Sequence, residues 1–285
     1  MAEEKTGQRV VVGLGELLWD LLPEGARLGG APANFAVMAG RLGDRAVVAS
    51  RVGADALGSQ AVDALEALPA ESGFLQSDTE YATGTVTVAF REGEPEYTID
   101  EPVAWDRLTL TPEWRELARA ADAVCFGTLA QRADAARGTI LGFLDGTRPE
   151  CVRVFDANLR TPHWSAEVLR DSLRRATILK LNAGELRHVL MGTGACPYPA
   201  EAQDDDTLLH GAQRLLEQYP LEMVCITMGA RGSLLVTRKG QDRHCGLATR
   251  VQDTVGAGDA FTAALTHYYL EGAPLAVLNE AGNRW

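Results

Sequence analysis

Ile178-Leu-Lys-Leu-Asn-Ala-Gly-Glu-Leu-Arg-His-Val-Leu190 reads as a strand that runs directly into a helix. Ile178 to Leu181 is a short, largely apolar run, the pattern of a strand covered on both faces. Ala183 to Leu190 then changes to helical spacing. The same alternation continues around it. Ala123 to Phe126, Val152 to Phe155 and Met223 to Thr227 are further candidate strands. Pro112 to Ala120, Glu167 to Arg175 and Thr207 to Gln218 are candidate helices, and Pro197 to Asp206 is a polar loop. Strand and helix in regular succession predict a mostly parallel sheet flanked by helices.

Toward the N-terminus the pattern holds. Val10 to Leu14 and Ala46 to Ser50 are strand-like, and Leu57 to Leu68 is helical. Pro32 to Leu42 places Phe35, Met38, Ala39 and Leu42 on one side of a helix, with Gly43 as its stop. Thr83 to Phe90 differs: Thr85, Thr87 and Ala89 alternate with Val86, Val88 and Phe90. A period of two predicts a sheet with one face less buried. Gly93 and Pro95 punctuate it and Tyr97 to Ile99 resumes it, which suggests a hairpin. The 285 residues suit one large α/β domain with a small appendage, or two modest domains.

Composition narrows the function. Hydrophobic residues make up 46%, enough for a sizeable core, and the formal charge is -12. A chain this acidic, with no Lys/Arg run, is not expected to bind nucleic acid. Local Arg residues and backbone amides still allow an anionic substrate. Cys125, Cys151, Cys196, Cys225 and Cys245 are odd in number and form no C-x-x-C pair, so buried free thiols in a reducing cytoplasm are expected. No apolar run is long enough to span a membrane, and the start shows no apolar signal region.

Four segments carry candidate chemistry. In Asp253-Thr-Val-Gly-Ala-Gly-Asp-Ala-Phe261, closely spaced glycines let the backbone turn its amides inward, and an apolar helix follows. Amides at a helix start bind anions, and Asp259 stands where it could take a proton from a nearby hydroxyl. A turn followed by a helix cap reads equally well. Lys180 to Glu185 lies at a strand's carboxyl end, where open α/β sheets bind ligands. Asn182 and Glu185 there suit magnesium held through water, or a capped helix start. In Phe155-Asp-Ala-Asn-Leu-Arg160, the polar residues Asp156, Asn158 and Arg160 alternate and could all face a cleft, with Arg160 suited to phosphate, or they form a plain polar loop. Gly15-Glu-Leu-Leu-Trp-Asp20 and Leu28-Gly-Gly-Ala-Pro-Ala-Asn-Phe35 supply Asp20 and Asn34, typical hydroxyl binders, and glycines that permit close approach, or an ordinary turn and helix start. Several sites are excluded. There is no G-x-x-x-x-G-K-[ST], no H-E-x-x-H and no G-x-S-x-G, and Leu18 stands where a dinucleotide fingerprint needs its third glycine.

Gly29-Gly-Ala-Pro-Ala-Asn34, Asn182-Ala-Gly-Glu185, Thr227-Met-Gly-Ala-Arg-Gly232 and Asp253-Thr-Val-Gly-Ala-Gly-Asp259 together resemble the PfkB/ribokinase family of carbohydrate kinases, over Val10 to about Asn283. The resemblance implies a ribokinase-like three-layer α/β/α sandwich, a single domain over residues 1–285, with a small β-sheet lid from roughly 15–31 and 83–102. It implies that Asp259 is the base and that the amides of Gly256, Ala257 and Gly258 hold the moving phosphoryl group. Asp20, Gly30, Asn34 and Arg160 would bind the sugar. Lys180, Asn182, Glu185, Thr227, Gly229, Gly232 and Asn283 would serve the nucleotide, with magnesium on Asn182 and Glu185 through water. Asp253 and Val255 would begin a site for a monovalent cation such as potassium. Partners would be ATP, a sugar and a second copy of the chain. The Gly15 to Asp20 segment, Ala31-Pro32 where ribokinases usually carry Lys-Gly, Phe126-Gly-Thr-Leu129 and Phe155 to Arg160 resemble fructokinases. Ribokinase, nucleoside kinase, 2-keto-3-deoxygluconate kinase and a weakly catalytic binding protein are the alternatives. Family members continue past Asn283 with a helix portion and a Gly-Ala turn, whereas this sequence stops at Trp285. The expectation is a cation site without its other carbonyls, and less than full activity.

Overall fold

The computed structural model describes residues 8–22, 25–91, 94–195, 204–247 and 256–285. Its first elements are β1 (Val10–Leu14), β2 (Leu18–Leu22), β3 (Gly25–Gly29) and α1 (Ala31–Arg41). Then come β4 (Arg45–Gly53), α2 (Ala56–Glu66), β5 (Leu75–Asp78), β6 (Gly84–Arg91) and β7 (Glu94–Ile99). The alternating stretch is α3 (Pro112–Ala120), β8 (Ala123–Phe126), α4 (Asp134–Asp145), β9 (Val152–Asp156), α5 (Ala166–Arg175), β10 (Ile178–Asn182), α6 (Ala183–Thr193), α7 (Asp205–Gln218) and β11 (Met223–Thr227). The remaining elements are β12 (Ser233–Thr237), β13 (Gly240–His244), α8 (Ala257–Leu270) and α9 (Leu275–Arg284).

Among the described residues, nine strands form one sheet in the order β13-β12-β11-β10-β9-β8-β1-β4-β5. Val12 of β1 pairs with Val47 on one side and Val124 on the other, both in parallel. β12 alone is reversed, pairing antiparallel with β11 on one side and β13 on the other. Alternate side chains of each strand enter two separate cores. Val12, Leu14, Val124 and Leu179 pack beneath α3 to α7 with Trp114, Phe143 and Leu186. Val11, Ala123 and Ile178 pack beneath α1, α2, α8 and α9 with Phe35, Phe261 and Leu278. The result is a three-layer α/β/α sandwich, and the strands read as continuous apolar runs because both faces are covered.

A second sheet has the order β3-β2-β6-β7. It stands off the carboxyl end of β1, because only Gly15 to Leu17 separate β1 from β2. Val86 is buried and Thr87 exposed, as the alternation of β6 predicts. Thr85 departs from that pattern: it is buried, and its hydroxyl donates to Asp100. Pro95, expected to interrupt the hairpin, lies inside β7 opposite Phe90. β7 is an edge strand, where a missing N–H is tolerated. Of the cysteines, Cys125, Cys151 and Cys225 are buried free thiols; Cys245 is also free but exposed, against expectation, and Cys196 lies outside the described residues. No helix among the described residues is long and apolar enough to cross a membrane.

Candidate active site

The chain leaves β1 for β4 and β5 on one side of the sheet and returns to β8 on the other. Such a reversal opens a crevice at the strands' carboxyl ends. The segments after β1, β3, β9 and β10 and the start of α8 arrive there, whereas Thr227 to Gly232, after β11, lies further along the sheet.

Helix α8 begins at Gly256, whose φ of 76° is left-handed, and no side chain caps it. Its first-turn amides therefore have no partner within the helix. Asp259 sits in that turn, partly open to the cleft. Asn34 of α1 reaches across and donates its Nδ2–H to Asp259 Oδ2 at 2.8 Å. Phe35, wholly buried beside it, anchors α1 on the sheet and fixes that reach. Desolvation, then the charge of Asp156, pushes the Asp259 carboxyl up to about 6, and Asn34, Lys180 and Arg160 oppose the rise. A carboxylate with such a pKa is ionised at neutral pH yet basic enough to accept a proton.

Glu16 follows β1 by two residues. It is buried, and its Oε2 has no hydrogen-bond partner. Burial pushes it up to about 7; hydrogen bonds donated by its own amide and by that of Ala31 oppose the rise, while Asp259 adds to it. Gly30, with φ of 110°, lies against the Glu16 backbone: a Cβ there would stand 2.4 Å from the Glu16 carbonyl oxygen. Asp20 on β2 is also raised by burial. Arg160 draws Asp20, Glu16 and Asp259 back toward their ordinary values, so its guanidinium stands near all three. Asp20, Gly30, Asn34, Arg160 and Asp259 are thus brought together.

Asp156 does not face the cleft as its alternation with Arg160 suggests. It is buried, and both oxygens accept from Lys180 Nζ, at 3.1 and 2.9 Å. The strand pattern stops at β9. Ala157 N–H donates to the Lys180 carbonyl, Leu159 N–H donates to Glu185 Oε1, and Asn158 between them has a φ of 36°. Asn tolerates that left-handed geometry better than most residues. The kinked, pinned loop ends at the exposed Arg160.

Asn182 and Glu185 form a reciprocal helix cap. Asn182 Oδ1 accepts from Glu185 N–H at 3.0 Å and Glu185 Oε2 accepts from Asn182 N–H at 2.8 Å. Both Glu185 oxygens therefore already accept an amide. Their second lone pairs suit hydrogen bonds from metal-bound water, not direct coordination. Among the described residues no group of three His, Cys, Asp or Glu is arranged to hold a metal.

The other expected nucleotide residues lie further along the sheet. Thr227 ends β11, and Gly229 and Gly232 bracket the turn into β12 with φ of 57° and 82°. Asn283 on α9 is engaged: its Nδ2 donates to Ser233 Oγ at 2.6 Å and to the Asn279 carbonyl at 2.8 Å. Asp253 and Val255 lie outside the described residues. Sequence reasoning missed two features, Glu16 as a site carboxyl and Asp156 as the partner of Lys180. The available signal for Glu16 was an acid set between Gly15 and Leu17 just past the end of an apolar strand.

Helix-start amides with no partner within the helix thus stand beside the half-buried Asp259 carboxylate, and the further carboxylates Glu16 and Asp20 feel the same Arg160. Residues 25–285 match the pfkB family carbohydrate kinase pattern. A fructokinase of Escherichia coli is 31% identical over 268 residues, 88% of this chain and 81% of its own. The crystal structure of a sugar kinase from Pyrococcus horikoshii superposes with a TM-score of 0.81 at 26% identity, covering 96% of this chain and 90% of that one. A Vibrio cholerae fructokinase in a form with bound fructose, ADP and calcium ion gives 0.76 at 25% identity, covering 96% and 89%. The chain belongs to the PfkB family of carbohydrate kinases and is a phosphotransferase with a ribokinase-like fold.

Proposed function

We propose that this kinase transfers the γ-phosphoryl group of ATP to a hydroxyl of fructose. The observation that carries the reaction is Asp259, a carboxylate with a raised pKa held by Asn34 at an unpaired helix start. Asp259 accepts the proton of the sugar hydroxyl as that oxygen attacks the γ-phosphorus. The bond from phosphorus to the bridging oxygen breaks, and its electron pair leaves on ADP. The amides of Gly256, Ala257 and Gly258 bind the phosphoryl oxygens, which is chiefly positioning and electrostatics. Asp20 and Arg160 orient the sugar, and the β3-β2-β6-β7 sheet serves as a lid on a single kinase domain. Thr227, Gly229 and Gly232 line the nucleotide. Magnesium bound to ATP would supply charge neutralisation, with Asn182 and Glu185 receiving its water ligands. Potassium activation is a further expectation, read by exchanging potassium for sodium. The fructokinase names of the relatives support fructose as acceptor. The free thiols suit the reducing cytoplasm, and the open edges of the small sheet suit pairing with a second copy.

A panel of fructose, ribose, 2-keto-3-deoxygluconate and a nucleoside, coupled to ADP release, tests the reading. Fructose is expected to give the highest kcat/KM. Ribose or a nucleoside winning tenfold would overturn fructose as acceptor. Asp259→Asn is expected to lose turnover by a hundred- to ten-thousand-fold, roughly the usual loss for a proton acceptor, and to keep nucleotide binding. More than half of wild-type turnover in that variant would remove Asp259 from the chemistry.

A further inference from the structure

We infer that Lys180 is a positioning residue: it holds a buried positive charge behind the anion-binding turn of α8 and does not touch the nucleotide. This rests on reading that turn as the phosphoryl site. Lys180 is the one charged side chain in an otherwise apolar strand, and it is 7% exposed. A lysine so placed needs a partner to remain charged. Asp156, paired with it across β9 and β10, supplies one at 2.9 Å. Both Asp156 oxygens accept from the ammonium, at 3.1 and 2.9 Å, so the two buried charges satisfy each other.

The ammonium also has a second neighbour. A Cβ built on Gly258 would lie 2.9 Å from Lys180 Nζ. The charge is therefore packed directly against the backbone of the first turn. One turn further, Thr262 Oγ1 donates to Asp156 Oδ2 at 3.3 Å and to the Gly258 carbonyl at 2.8 Å. The pair is neutral in sum but oriented, with its positive end at the start of α8 and its negative end one turn along. That dipole runs the same way as the helix's own and adds to it where the amides are unpaired. Buried charges are little screened, so the field reaches the cleft side of the turn. Lys180 thus acts through Gly258, strengthening the hold on phosphoryl oxygens and leaving the rest of the nucleotide untouched.

The test separates charge from fold. Lys180→Met strands the Asp156 carboxylate in the interior and should lower both kcat and Tm. Lys180→Met with Asp156→Asn removes both charges, which is far less costly than removing one. That double variant is expected to regain most of the lost Tm while kcat stays about a hundredfold down, on the order of losing one oxyanion donor. Its Kd for ADP, which lacks the transferred group, should stay within about threefold of wild type. A kcat that recovers with Tm would reduce the pair to a structural role. An ADP Kd weakened tenfold would make Lys180 a nucleotide contact. Gly258→Ala gives a second route, because its methyl must displace the ammonium. It should lower kcat in the wild-type background and cost nothing more in Lys180→Met, so full additivity of the two would also overturn the inference. A wild-type enzyme that phosphorylates no sugar, or an active Asp259→Asn, would instead refute the underlying reading.

Discussion

Asn34→Ala should move the acid limb of the pH–rate profile upward. Among the described residues Asp259 has one side-chain hydrogen bond, the 2.8 Å contact from Asn34. It stabilises the ionised carboxylate, so losing it must raise the pKa from its value of about 6. A hydrogen bond to a charged group contributes about 1.5–3 kcal/mol, which corresponds to about one to two pK units. The limb should therefore move to roughly pH 7–8. The remaining charges that face Asp259 are Asp156, Lys180, Arg160 and Glu16, and the substitution leaves them in place. With wild type about nine-tenths ionised at pH 7, kcat in the variant should fall there roughly two- to tenfold. It should return near the wild-type plateau by about pH 9, where both carboxylates are ionised. The assay is kcat at saturating sugar and ATP from about pH 5 to 9.5 at constant ionic strength. An unmoved limb combined with a raised sugar KM would refute the reasoning and return Asn34 to a sugar contact alone.

Glu16→Gln should stabilise the protein at pH 8 and not at pH 4.5. The folded-state pKa of Glu16 is raised from 4.5 to about 7, so its proton favours the fold below the unfolded pKa, and that contribution is lost as pH rises through about 7. The gain at pH 8 is at most about 3 kcal/mol, measured by denaturant unfolding at both pH values. Asp20→Ala should raise the sugar KM strongly and leave the ATP KM nearly unchanged; an unaltered sugar KM would make Asp20 a plain strand residue. Glu185→Gln should increase the magnesium needed for half-maximal rate several-fold without altering sugar affinity, and an unchanged magnesium curve would leave Glu185 as a helix cap. Light scattering at micromolar protein should give the mass of a dimer, and a monomer mass would count against pairing through the small sheet.

The sandwich was legible because its strands are buried on both faces, so β1, β8, β9, β10 and β11 appear as short apolar runs between helical repeats. β13, Gly-Gln-Asp-Arg-His, is an edge strand with almost no apolar content and gives no such signal. α4 escaped for a different reason: Asp134-Ala-Ala-Arg-Gly opens it with small and polar residues, including a glycine, and its apolar side chains come late. At the site, Gly-Ala-Gly-Asp259 and Asn182 to Glu185 announce themselves because their chemistry is local: a turn and a cap. The Asn34–Asp259 bond spans 225 positions and the Lys180–Asp156 pair spans 24, so neither can be read from spacing. Asp156 misled because period-two alternation was extended past the strand's end into a loop whose φ values no longer alternate sides.

The central position of β1 has a consequence for how the protein is made. Its neighbour on one side, β4, is synthesised soon after it. On the other side it waits for β8: the Val10 amide donates to Asp122, 112 residues further on. During synthesis an apolar edge of the emerging sheet stands open for that interval, and Asn34 cannot meet Asp259 until far later still. Contacts of such range make folding slow and leave sticky intermediates. A ribosome-bound chain therefore carries Glu16, Asp20 and Asn34 long before the carboxylate of α8 exists to meet them, and the sheet's middle strand is the place where a holding chaperone would have most to cover.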